Sequence, residues 1–160
     1  MEDSMRRVMA ARETVLRLVP SPWDRAEFLS ALGRWRGRPI KLAAIGFETG
    51  DGSLCGLWLE CADSDVIAYY PGTTEFHIDH IVAHETGHMV LGHGGGAGDS
   101  SGIRRLLPNI DPALIRRVLG RGEFADDQEA EAELFADLLL TGISRWRSSW
   151  PMRSFWGDQG

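Results

Sequence analysis

The stretch "HIDHIVAHETGHMVLGH", residues 77–93, contains all five histidines of a 160-residue chain. Ile78, Ile81, Val82 and Met89 fall together on a neighbouring arc of a helical wheel, as in a helix with one apolar face. The pattern predicts a helix from about Glu75 to Leu91, with "PGTTE" at its start and Gly92 as its stop. On such a helix His84 and His88 lie about 40° from each other and point the same way. Two imidazoles at this spacing reach one metal ion at about 2.0–2.1 Å without bending the backbone. Glu85 lies about 100° round from His84. That is too far for a third ligand but near enough to hold a metal-bound water and move its proton. "HETGH" thus satisfies HExxH, two ligands plus a base. The competing reading is a histidine-rich surface helix with no metal.

The other three histidines carry weaker signals. His77 and His80 fall near the bearing of His84 but one and two turns earlier, where they line a cleft or sit on a wet face, the second being the plainer reading. The direction of His93 is open, because Gly92 is expected to end the helix before it.

A catalytic zinc takes three protein ligands and keeps one position open, so a third ligand must come from elsewhere. In "DDQEAEAELFADLLL", residues 126–140, the side chains of Glu129, Ala132, Glu133, Ala136 and Leu140 share one helical face. The small Ala132 and Ala136 allow close approach to another helix, with Glu129 placed to ligate and Glu133 to accept a hydrogen bond from a histidine ring. The alternative makes "DQEAE" a helix start, with Asp126 as N-cap and Glu129 in the capping-box position. Glu131 is the rival ligand, but it lies on a different face and has Phe135 one turn on.

Around these two helices the expected fold class is α+β, a single domain over residues 1–160. Residues 4–19 read as an amphipathic helix. A second follows, with Ser21 as N-cap, Pro22 at N1 and Gly33 or Gly37 near its stop. After Pro39, "IKLAAIGF", "SLCGLWLEC" and "DVIAYY" are separated by turn chemistry and read as a small antiparallel meander of three strands. An edge of that sheet is expected to pair with an extended substrate segment. The glycine-rich loop at 94–102 is expected to gate the cleft. "DPALIRRVLG" reads as a short helix with Asp111 as N-cap, and the last strong helix spans roughly 127–141.

Composition narrows the function classes. A net charge of −6 and a pI near 5.3 disfavour a nucleic-acid partner, which demands a clustered positive face. The two cysteines, Cys55 and Cys61, stand about 20 Å apart if 54–61 is a strand, beyond disulfide reach, and read as buried thiols of a reducing compartment. No apolar run approaches the roughly 20 residues that span a bilayer. A soluble, cytoplasmic chain with no membrane partner is expected.

"HETGHMVLGH" followed by "EAEAELFADLLL" resembles the ImmA/IrrE family of metallo-endopeptidases, small gluzincin-type enzymes often encoded beside helix-turn-helix repressors. The family's HExGH helix and its following G-H fall on His84, Glu85, Gly87, His88, Gly92 and His93. Its E-x-x-A-(D/N)-x-F-A segment falls on Glu129, Ala132, Phe135 and Ala136, and the likeness extends over roughly residues 38–141. Thr86 stands where an aliphatic residue is usual, Glu133 where Asp or Asn is, and "LLLTG" lacks a proline often found there. The resemblance implies a zincin-like fold and a Zn²⁺ endopeptidase with His84, His88 and Glu129 as ligands and Glu85 as catalytic base. Its substrate would be a specific protein, commonly a transcriptional repressor. Tyr69, Tyr70 and His93 are the candidates for stabilising an oxyanion, with surface or core packing as the plainer reading of all three. A second functional class is a zinc-stabilised module that sequesters a transcription regulator without cutting it, although such a site has no use for Glu85.

Overall fold

Asp24, rather than Ser21, opens the second helix, because its carboxylate accepts a hydrogen bond from the Glu27 backbone N–H at 2.8 Å. The computed structural model describes residues 1–44, 56–94, 110–119 and 124–148. Among them are helices α1 (Glu2–Leu16), α2 (Arg25–Arg36), α3 (Glu75–Val90) and α4 (Asp126–Ser148), and strands β1 (Ile40–Ala44), β2 (Gly56–Cys61), β3 (Asp65–Tyr69) and β4 (Ile115–Leu119). The α+β class holds in this coarse form. No described helix is long and apolar enough to cross a membrane.

The sheet differs from the expected meander in two ways. Its order is β1-β3-β2-β4. β2 and β3 form the antiparallel hairpin that "ADSD" announces, but β1 passes over β2 and pairs parallel with β3, Ile40 opposite Asp65 and Ala44 opposite Tyr69. A parallel pairing leaves no local signature in the sequence, since the turn that fixes an antiparallel register is missing.

The fourth strand comes from "DPALIRRVLG", the segment expected to be helical. Asp111 caps only a 3-10 turn at Pro112–Leu114, and the chain then extends through Ile115–Leu119 against β2. Ile115 and Val118 mimic a helical spacing, yet both are β-branched and suit a pleated surface. Cross-strand pairing decides the outcome. Arg117 lies opposite Glu60 and donates to its carboxylate, while Val118 and Leu119 are buried.

Trp58, Ile67 and Leu119 point from the sheet toward the helices and join Phe28, Leu32, Phe135 and Leu139 in the main core. Leu57, Leu59, Cys61, Val66 and Ala68 gather on the opposite face with Val118. Cys61 is a buried free thiol, and burial raises its pKa, which disfavours the thiolate. Cys55 and the loop at 95–102 lie outside the described residues.

Two buried carboxylates fasten the helices to this frame. Asp65 is fully buried and receives the Arg36 guanidinium at 2.5 Å, the Trp58 indole N–H at 3.2 Å and Arg38 at 3.5 Å. Asp79 on α3 accepts from Arg25 at 2.7 Å and from the Trp23 indole at 3.1 Å, which ties α2 to the histidine-bearing helix.

Candidate metal centre

α3 begins with the Thr74 hydroxyl accepting the His77 N–H at 3.2 Å, and it ends at Val90, one residue before the expected Leu91. Gly92 takes the left-handed conformation, φ +68°, that glycine adopts without a Cβ penalty. The Gly92 N–H then bonds to Met89 O and the His93 N–H to His88 O at 3.0 Å, the paired bonds of a Schellman turn. This turn folds the residue after the glycine back over the residue three from the helix end. Here those two are His93 and His88, and their Nδ1 atoms meet at 2.9 Å.

α4 crosses α3 at Gly87. A Cβ at that position would lie 3.2 Å from Ala132 Cα and 3.0 Å from a Phe135 ring carbon, so glycine on one helix and alanine on the other set the close approach. The α4 start also excludes the capping role for Glu129. Gln128, not Glu129, reaches back to the Ala125 N–H at 3.2 Å and takes the capping-box position. Glu129 is thereby free to face α3.

His84, His88 and Glu129 converge in a group that can hold a metal ion. His84 Nε2 and His88 Nε2 lie 3.2 Å apart, and the Glu129 carboxylate is 3.2 Å from the first and 3.6 Å from the second. The other ring nitrogens are occupied elsewhere. His84 Nδ1 meets Glu133 Oε2 at 3.1 Å, and His88 Nδ1 meets His93. Protons on both Nδ1 atoms leave two bare Nε2 lone pairs and a carboxylate aimed at one point, which is a donor set suited to a cation. Burial, with His84 and His93 nearby, lowers the His88 pKa to about 3, so the ring is held in the neutral form that ligates.

Glu85 completes the wall of the same cavity, a space of about 480 Å³ also bordered by Gly56, His77, His80 and Phe124. Its Oε2 is buried and has no hydrogen-bond partner. Burial first, and then the charge of Glu129, push its pKa up to about 8. A carboxyl group held this way keeps its proton near neutrality until a positive charge arrives beside it. Gly56 allows the helix to lie this close to β2, since a Cβ there would meet Ile81 Cγ2 at 2.4 Å.

The structure therefore brings His84, Glu85, His88, Glu129 and Glu133 together as the sequence spacing predicts. It also assigns residues that spacing left open. His77 and His80 both border the cavity, and His80 Nε2 lies 3.2 Å from Glu133. His93 points away from the cavity and bonds Glu131 Oε2 at 2.7 Å, so it is not available to an oxyanion. Tyr69 and Tyr70 are not among the cavity's lining residues. Phe124, which the sequence reading missed, stacks on His88 with ring centroids 3.7 Å apart. No signal in its own segment marks Phe124. The direction of His93, open in the sequence, has a signal in the glycine before it, whose left-handed turn folds His93 back onto His88.

Comparisons of the chain with protein-family models, with curated proteins and with solved structures found no match.

Proposed function

We propose that this chain is a zinc-dependent endopeptidase of the ImmA/IrrE type, zincin-like in fold, acting on a specific protein substrate such as a helix-turn-helix repressor in the cytoplasm. One observation carries the reading: a buried carboxylate with an unpartnered oxygen, Glu85 Oε2, borders the same cavity as the convergent donors of His84, His88 and Glu129. Two imidazole nitrogens and one carboxylate suit zinc and leave a coordination position open. Zinc bound there would polarise a scissile carbonyl and make an adjacent water more acidic.

The chain's own residues supply the rest. Glu85 would ionise once a cation offsets its burial, take the proton of the attacking water and return it to the departing amine. Glu133 and His93 orient the two ligand rings. β3 lies along one edge of β2, and β4 covers the other along Trp58–Cys61. Among the described residues the outer edge of β4 pairs with no strand, and an extended peptide would add a strand there.

The test uses purified protein, zinc and a candidate helix-turn-helix regulator. Wild type should cleave the regulator, a chelator should stop it, and Glu85→Gln should retain zinc while losing cleavage. A Glu85→Gln protein that still relieves repression would instead favour the sequestering module. Cleavage by Glu85→Gln at the wild-type rate would refute the assignment.

A further inference from the structure

The reaction proposed above makes no direct use of Glu131, His93 or Arg7, yet these residues form a line that ends on His88. Arg7 of α1 donates to Glu131 Oε1 at 3.3 Å and to the carbonyl of Leu91, at the end of α3, at 3.2 Å. Glu131 Oε2 lies 2.7 Å from His93 Nε2, and His93 Nδ1 lies 2.9 Å from His88 Nδ1. Glu131, His93 and His88 are all buried.

Hydrogen-bond chemistry fixes the protons along this line. An ionised carboxylate only accepts, so His93 Nε2 must carry the hydrogen. A neutral imidazole has one N–H, which leaves His93 Nδ1 bare and able to accept. The hydrogen between the rings must then sit on His88 Nδ1. His88 Nε2 is left with a lone pair, and it is this atom that faces His84 and Glu129. At the far end of the line the Arg7 guanidinium pairs with Glu131 Oε1 at 3.3 Å.

We infer that Glu131, acting through His93, is a positioning residue that holds His88 in its metal-binding tautomer, and that Arg7 fastens this device to α1. The inference rests on the reading of His88 as a metal ligand. It gives α1 a part in the site, although α1 contributes nothing to the cavity wall. It also explains why Glu131, two residues from Glu129, points away from the metal position.

The tautomer can be read without activity. In ¹⁵N-correlated NMR of the metal-free wild type, His88 should carry its hydrogen on Nδ1. In Glu131→Ala the signal should move toward the Nε2–H form that an unconstrained imidazole prefers, and zinc affinity, measured by chelator competition, should fall about 10- to 100-fold. His93→Phe keeps a ring in place but cannot relay the bond, and should give the same two changes; it serves if Glu131→Ala does not fold. Unchanged His88 tautomer and unchanged affinity in the folded variants would overturn the inference while leaving the metal site standing. A wild type that binds no zinc would overturn the metal reading itself, and the NMR signal would still report whether Glu131 sets the tautomer.

Discussion

Replacing Glu85 with glutamine removes an ionisable group from the cavity wall while keeping its shape. In the metal-free fold the Glu85 pKa rises from 4.5 to about 8, because burial and the neighbouring Glu129 both disfavour its anion. A raised folded-state pKa means that this group's contribution to stability is fully present below pH 4.5 and is lost as the pH climbs to 8. Each unit amounts to about 1.4 kcal/mol, so at pH 7 wild type should have lost about 3 kcal/mol that glutamine does not lose. The difference between variant and wild type should be near its minimum at pH 4.5, reach about 3 kcal/mol at pH 7 and level off above pH 8. His88, held neutral with a pKa near 3, acts in the opposite sense between pH 3 and 6.5, but it is common to both proteins and cancels in the difference. Burying the uncharged amide adds a constant offset that leaves the slope untouched. Urea unfolding of chelator-treated protein at pH 5, 7 and 8.5 measures this through the transition midpoint. A difference that stays flat across that range, or that favours wild type increasingly at high pH, would refute the account of Glu85.

Two further substitutions test the frame around the site. Gly87→Ala should push α4 away from α3, since its Cβ meets the Ala132 backbone at 3.2 Å; the expected cost is about 1–3 kcal/mol in chemical denaturation, with weaker metal binding as Glu129 withdraws. An unchanged unfolding midpoint and unchanged affinity would count against that packing. Asp65→Ala leaves the mostly buried Arg36 without its carboxylate and the Trp58 indole without an acceptor, and should destabilise the fold by about 3–5 kcal/mol. A loss under about 1 kcal/mol in the same assay would show that this pair behaves as a surface contact.

Helical periodicity made much of the site legible. The four-residue step from His84 to His88 and the shared face of Glu129, Ala132 and Glu133 depend only on the pitch of two helices, and the structure brings these side chains together. The sheet was less legible because its pairings are remote. Nothing local tells Ile40–Ala44 to pass over β2 and run parallel to β3, and Ile115–Leu119 becomes a strand because β2 offers an open edge and Glu60 a partner for Arg117. The line from Arg7 through Glu131 to His93 joins residues up to 124 positions apart, which no spacing rule connects. Glu131 was set aside as a ligand because of its face, and that same face directs it to His93.

The central claim is one zinc held by His84 Nε2, His88 Nε2 and the Glu129 carboxylate, and diffraction from zinc-grown crystals on either side of the zinc absorption edge tests it most directly. The account predicts a single strong anomalous peak about 2.0–2.2 Å from those three donors, with Glu85 beside the open position. No peak at full zinc loading, or a peak only among His80, Glu133 and Asp137, would contradict it.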